Sequence, residues 1–338
     1  MGISITITEK CNLKCKYCYE TNCKNNNTIS YENIDKSLEF LKEELKVRKK
    51  ISIHGGEPFL EIDKLKYSIK KIRDIESEIN EKIIITTTSN ATILNEDILS
   101  IVSKDIDGLT ISIDGNEEAH DKFRVFKNGE GSHNKVVKNA KIFNDIVDNL
   151  RIRMTFNKDT ASLLYESFSF LVENGFKTIV AHPDMNDKNW NEEDLEILFK
   201  NILKIKDKYS EKDINSNLLE KNLTLLGDCK IGMNIYHDGT VYPCIGVIGN
   251  EEMIIGNINE GMFKEKIDKI IYENKKNISI CNGCDLYDYC EGTRCKIINK
   301  IVTGSFGLPS PIVCRFNGIL LKTNEISLKN NKYLKEEK

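Results

Sequence analysis

Cys11, Cys15 and Cys18 are separated by three and then by two residues in the stretch Cys11-Asn-Leu-Lys-Cys15-Lys-Tyr17-Cys18. Thiolates hold iron–sulfur clusters, commonly four per cubane, so three clustered cysteines can hold three irons and leave the fourth open to a non-protein ligand. An open metal position signals chemistry rather than architecture. Tyr17 puts an aromatic ring just before the third thiol, where it can shield one face of a cluster from water. A zinc knot is the alternative for such thiols. It needs a fourth ligand, and Cys23 is the only nearby cysteine to supply it.

The elements that must position these thiols are legible in the flanking pattern. The alternating run Ile3-Ser-Ile-Thr-Ile-Thr8 reads as a strand that delivers the cysteines to its end. After a polar loop, Ser30 caps a helix over 31–47 with Leu38, Leu41 and Leu45 at helical spacing. Strand and helix then alternate: strands at 51–54, 82–88, 109–113, 151–156 and 177–181, helices at 63–79, 95–103, 135–147 and 161–173. Such alternation implies parallel strands with helices outside, and six units suit an open, partial (β/α)6 barrel better than a closed eight-stranded one. The fold class expected is α/β, with the active face at the C-terminal strand ends, where the first cysteines fall. A helix over 194–209 ends this domain, 1–210, and 211–226 reads as a linker. From 227 to 320 the repeat stops and seven cysteines occur among short strands and turns, which predicts a small second domain held by metal. The Lys-rich tail 321–338 completes the chain.

Composition bounds the function classes. The 338 residues suffice for two domains with their own cores, and 40% hydrophobic content is that of a soluble globular protein. The 49 basic and 52 acidic residues are interspersed, net −3, which gives no electrostatic case for nucleic acid or a membrane surface. No basic, apolar N-terminal segment and no long apolar run occurs, so the expected location is the cytoplasm. Eleven cysteines in a long chain without a signal peptide favour metal ligation over disulfides. The five histidines form no ligand cluster at recognisable spacing.

Gly55-Gly56-Glu57-Pro58 follows the second strand. Two glycines let backbone approach a ligand closely, and a carboxylate beside them can accept from an ammonium group. Thr88-Ser89-Asn90 ends the third strand and Ser112-Ile113-Asp114-Gly115 the fourth, with Arg124 in the loop beyond. By themselves these are ordinary turn residues.

Together with the cysteine loop, these stretches resemble the radical S-adenosylmethionine (radical SAM) enzymes, whose three-cysteine motif with an aromatic before the last is matched by Cys11, Cys15, Tyr17 and Cys18. The resemblance implies that the amino and carboxylate groups of SAM bind the open iron of a [4Fe–4S] cluster. One electron then cleaves SAM to methionine and a 5′-deoxyadenosyl radical, which takes a hydrogen atom from substrate. It implies that Gly55, Gly56, Glu57 and Pro58 bind the SAM amino group, and that Ser89, Asn90, Ser112, Asp114 and Arg124 surround its ribose and carboxylate. Of these, Ser112 and Arg124 are the carboxylate pair, since a guanidinium makes charge-assisted, often bidentate bonds to carboxylates.

The C-terminal cysteines, Cys229, Cys244, Cys281, Cys284, Cys290, Cys295 and Cys314, resemble the SPASM extension of radical SAM enzymes, which usually holds two auxiliary [4Fe–4S] clusters. Cys290 and Cys295 are separated by four residues where the family more often has three. Carried over by position, Cys281, Cys284, Cys290 and Cys314 complete one cluster, and Cys229, Cys244 and Cys295 hold the other with one thiolate missing. Some relatives place a cysteine where this chain has Ile235; substrate, water, a backbone group, Asp228 or His237 are the other ways to fill that position. Two zinc ions are the structural alternative.

The expected function is a peptide maturase that abstracts a hydrogen from a ribosomally made peptide and installs a crosslink, for instance a cysteine thioether. Its cofactors are SAM and three [4Fe–4S] clusters, and its reductant a flavodoxin or ferredoxin. Many such enzymes begin with a leader-binding domain. Here the first strand starts within a few residues of Met1, so a separate protein, the barrel mouth or the SPASM surface is expected to present the substrate. A second reading is an anaerobic sulfatase-maturating enzyme making formylglycine, in which the cysteine matching Cys244 is followed by a catalytic Asp; here Ile245 follows. A third is a non-catalytic zinc-binding or electron-carrier protein. No residue is named as catalytic acid or base.

Overall fold

A computed structural model of the chain describes residues 2–18, 25–220, 225–227 and 230–336. Cys23, Asp228 and Cys229 lie outside them. The strands are β1 (Ile3–Thr6), β2 (Lys50–His54), β3 (Ile84–Ser89), β4 (Gly108–Ser112), β5 (Leu150–Phe156), β6 (Ile179–Pro183), β7 (Met233–Ile235), β8 (Thr240–Tyr242), β9 (Gly256–Asn257) and β10 (Gly261–Met262). By contact the chain divides into two compact units. The first holds the described residues of Met1–Ser112, Phe123–Leu150 and Lys230–Tyr272, the second those of Ile113–Lys122, Arg151–Cys229 and Glu273–Lys338.

In the first unit β1, β2, β3 and β4 run parallel as neighbours, with Thr6 opposite His54 and Ser89 opposite Ile111. The crossovers are the helices the sequence predicts. Tyr31–Arg48 starts at Ser30, whose side chain accepts from Asn33 N, and buries Leu38, Leu41 and Leu45; Ile62–Ile79 buries Leu65, Ile69 and Ile72. The strands alternate by face: Ile51, Ile53, Leu109 and Ile111 are buried, while Ser52, His54, Thr86, Thr88, Thr110 and Ser112 are half-buried. A closed βα barrel fills its interior with bulky aliphatic side chains. Small polar residues here leave that face open to water and ligand.

The second unit repeats the pattern. β5 and β6 pair in parallel, with Thr155 opposite His182. The helix Leu164–Glu173 precedes β6, and Glu192–Tyr209 follows it behind an Asn191–Asp194 capping box. The stretch expected as a linker is packed where it is described: Asn217 bonds both the N–H and the C=O of Ala181, and Leu218 is fully buried. The tail continues a long helix, Pro311–Glu336, and buries Thr323. Among the described residues no helix is long and apolar enough to cross a membrane.

The expected boundary at 227 differs from the packing. β7 pairs in parallel with β1, Ile235 opposite Ile5, and β8, β9 and β10 extend that edge antiparallel. Without β7 the outer edge of β1 would present unpaired backbone groups, which sheets avoid by covering or pairing. Ile235 is therefore fully buried in this sheet. Truncating it should cost about 2–5 kcal/mol, as for other buried Ile. Urea unfolding of Ile235→Ala checks this, and a midpoint equal to that of the parent would show that β7 is not part of the folded sheet.

Candidate functional site

The cysteine loop hangs from the end of β1 and is held on two sides. On one side Lys14 N donates to Val125 O at 2.8 Å and Lys16 N to Phe123 O at 3.0 Å, with Leu13 buried between. On the other lies the turn after β2. Gly56 N donates to Thr8 O at 2.9 Å and Glu57 N to Lys10 O at 2.8 Å. A Cβ at Gly56 would sit 2.7 Å from the carbonyls of both Glu9 and Lys10 and 3.0 Å from Cys11 Cβ; one at Gly55 would sit 2.9 Å from Thr8 O. The sequence reading assigned the glycines to close approach of a ligand. What they admit is the backbone of the cysteine loop itself.

Glu57 is fully buried. Its carboxylate accepts from Phe59 N at 3.1 Å, Ser89 Oγ at 2.9 Å and Asn90 N at 2.6 Å, so it fastens the end of β3 to the turn after β2. Burial pushes its pKa up to about 7, against those hydrogen bonds and the Arg124 guanidinium, which act to lower it. Asn90 Nδ2 donates to Asn12 Oδ1 at 2.9 Å and lies 3.7 Å from Cys11 Sγ, and its Oδ1 accepts from Thr92 N and Oγ1. Ala91 between them has φ 53°, a conformation that side chains rarely adopt, and its carbonyl accepts from Asn139. Arg124 is buried beside the loop, with its guanidinium donating to Tyr17 OH at 2.8 Å.

Thus Gly55, Gly56, Glu57, Ser89, Asn90, Tyr17 and Arg124 are joined by contacts to one another and to the cysteine loop within one unit, and Pro58 follows Glu57 in the same turn. Ser112 ends β4 half-buried. Asp114 belongs to the second unit, where it accepts from Thr155 N at 3.0 Å and its own N–H donates to His120. Gly115 beside it has φ 120°, so this pair makes a turn.

The thiols fit a highly charged cation. Cys11, Cys15 and Cys18 form no disulfide. Burial pushes Cys11 up to about 11, and the charges of Glu57, Cys15 and Cys18 push the same way. A thiol raised in this way, with two more beside it, ionises readily only when positive charge arrives. Among the described residues no three His, Cys, Asp or Glu are gathered closely enough to hold a single metal ion. In the second unit Cys281, Cys284, Cys290 and Cys314 share one neighbourhood. Burial, then the charges of Cys290, Cys314 and Cys284, raise Cys281; burial, then Cys314 and Cys284, raise Cys290. Cys244 falls in the first unit and Cys295 in the second.

Sequence reasoning missed Glu9, Asn12, Thr92 and Tyr236. Glu9, buried at the root of the cysteine loop, accepts from Tyr236 OH and lies 3.2 Å from His237 Nε2; its other oxygen accepts from Asn25 N and Asn27 N. His237, considered above as a cluster ligand, is therefore engaged here. Asn12 sits inside the motif and could have been noticed. The others carry no local signal.

Two outcomes follow from this geometry. Gly56→Ala should leave the helical spectrum intact but lose most of the iron bound near Cys11, because the added Cβ displaces the loop; an unchanged iron and sulfide count would refute the contact. The raised pKa of Glu57 means that the folded chain holds this proton more tightly than the unfolded one. That contribution to stability is full below the ordinary value of 4.5 and is lost as pH rises through about 7. Glu57→Gln should flatten this part of the pH–stability curve of the metal-free chain, measured by urea unfolding between about pH 5 and about pH 8.

Residues 5–195 match the radical SAM superfamily. A cysteine-type anaerobic sulfatase-maturating enzyme of Clostridium novyi (strain NT) is 27% identical over 319 residues, covering 84% of each chain. Among solved structures, native anSMEcpe with bound AdoMet is similar with a TM-score of 0.81 at 20% identity, over 97% of this chain and 98% of that one. Streptococcus suis SuiB bound to precursor peptide SuiA gives a TM-score of 0.62 at 20% identity, over 93% of this chain and 75% of that one. At these identities the solved structures speak for the fold, an α/β architecture with a parallel core. With the cysteine loop, glycine turn and Arg124 gathered in one site, the chain belongs to the radical SAM superfamily, whose cofactors are SAM and a [4Fe–4S] cluster.

Proposed function

We propose that the chain is a peptide maturase that abstracts a hydrogen from a side chain of a ribosomally made peptide and installs a crosslink. The observation that carries this reading is the presence of two separate thiol groups in one chain: Cys11, Cys15 and Cys18 at the end of β1, and Cys281, Cys284, Cys290 and Cys314 in the second unit. The first would hold the SAM-binding cluster. The second would hold an auxiliary cluster, and Cys229, Cys244 and Cys295 a further one, three in all. In this reading residues 1–210 would serve as the barrel and 227–320 as the SPASM extension, and a flavodoxin or ferredoxin would be the reductant.

Bound at the first site, cluster and SAM supply a 5′-deoxyadenosyl radical. The protein's residues bind and orient. Arg124, held against Tyr17, offers a guanidinium to the SAM carboxylate with Ser112 as its partner. Glu57, Ser89 and Asn90 fix the floor of the site, since their own hydrogen bonds are made within the protein. Asp114 acts from its turn in the second unit by holding Thr155.

Sulfatase maturation is the second reading, favoured by similarity over 84% of a sulfatase-maturating relative. Ile245, which opens a short turn of helix after Cys244, offers no proton acceptor at the place where those enzymes carry an Asp.

The readings separate by product. The anaerobically reconstituted chain, given SAM, a reductant and a cysteine-containing peptide such as the Cp18Cys peptide bound to native anSMEcpe, is analysed by mass spectrometry. A crosslinking maturase removes hydrogen and keeps the sulfur, whereas formylglycine formation loses sulfur and gains oxygen. Replacing Cys11, Cys15 and Cys18 together by Ala should abolish 5′-deoxyadenosine release while the iron held by the C-terminal cysteines persists. Unaltered release would remove the first site from the reaction.

A further inference from the structure

β5 and β6 carry residues that the folding of a βα unit does not require. Ile152, Met154, Phe156, Ile179 and Ala181 are buried on one face; on the other, Arg153 and Thr155 stand in register with Val180 and His182 and are half-buried. That face is ordinarily aliphatic in βα structures. His182 is the penultimate residue of β6, at the C-terminal strand end where open α/β sheets take their ligands.

Glu291 reaches the same place from the short helix Glu291–Arg294, with Oε2 3.8 Å from His182 Nδ1. That separation exceeds a hydrogen bond. Nδ1 is buried and takes no hydrogen bond among the described residues, which costs folding free energy that a bound group would recover. Phe316, itself buried, holds the imidazole with ring centroids 6.3 Å apart. Burial, then the charge of Arg153, keeps His182 neutral, with a pKa lowered to about 3. Arg153 also acts electrostatically on Glu291. One cation, one neutral imidazole and one carboxylate thus share a small polar site.

We propose that Arg153, His182 and Glu291 bind the main chain of one residue of an extended substrate peptide, whose N–H and C=O point to the same side, Arg153 and His182 facing the C=O and Glu291 accepting from the N–H. The charges select for this class: a phosphate would meet Glu291 and a polyamine would meet Arg153, whereas a residue of an extended main chain presents one donor and one acceptor on the same side and no charge. The proposal rests on the peptide reading above and makes these three specificity-determining residues of the same enzyme.

The test uses the full chain, reconstituted anaerobically with SAM and immobilised, and a library of short synthetic peptides with one central cysteine or serine. Retained peptides are identified by mass spectrometry. His182→Phe and Glu291→Gln should each weaken retention about tenfold, the scale of a lost hydrogen bond to a charged group, with iron content and SAM affinity unchanged. N-methylation of one peptide amide should weaken wild-type retention similarly and have no further effect in Glu291→Gln, a coupling that a merely structural role would not produce. If His182→Phe loses iron, His182→Asn and Arg153→Lys carry the same comparison. Undiminished retention in these variants, or an N-methyl penalty undiminished in Glu291→Gln, overturns the site and leaves the peptide reading standing. A wild-type chain that retains no peptide overturns both.

Discussion

The first unit depends on the absence of a side chain at Gly56. β1 and β2 are parallel neighbours with Thr6 opposite His54, so the loops that leave their ends must pass one another at once. They pass so closely that the carbonyls of Glu9 and Lys10 occupy the space a Cβ would need. Glycine permits the crossing, and the crossing sets where Cys11 stands. From there the arrangement propagates: Glu57 follows the turn, ties down Ser89 and Asn90, and Asn90 reaches back to Asn12 and Cys11.

The electrostatics of both thiol groups have a common logic. Cysteines withdrawn from water and placed beside one another resist ionisation, as the rise of Cys11 to about 11 and the raised Cys281 and Cys290 indicate. A cation removes that resistance, so metal binding and completion of the local structure are linked free energies. Glu57 adds to this field at Cys11, while the Arg124 guanidinium acts to lower the Glu57 carboxyl that burial raises to about 7.

The C-terminal cysteine-rich stretch is not simply appended. Lys230–Tyr272 packs with the first unit, where β7 covers the edge of β1, and Tyr236 and His237 from the turn that follows hold Glu9 at the root of the cysteine loop. A change in the β7–β8 hairpin, which ends one residue after β8 in Pro243 and then Cys244, is thereby a change at the base of the Cys11 loop. One carboxylate, that of Glu9, contacts both Tyr236 and the backbone of Asn25 and Asn27.

Local patterns determined much of this protein. Period-two and period-3.6 hydrophobicity placed the six βα strands and their helices, the Ser30 cap included, because those signals arise from neighbours in sequence. The cysteine spacing and the Gly55–Pro58 turn identified the site for the same reason. Tertiary structure alone decided which parts meet. The pairing of β7 with β1, the burial of Ile235 and Leu218, and the Glu9–Tyr236–His237 contact join residues more than a hundred positions apart or bury residues in a polar stretch. The glycines' true neighbour was likewise hidden, since a turn motif shows that something approaches closely but not what. The juxtaposition of His182 with Glu291 is of this kind: neither residue stands in a recognisable motif, and only the register of β5 and β6 and the placement of a four-residue helix put the carboxylate beside the imidazole.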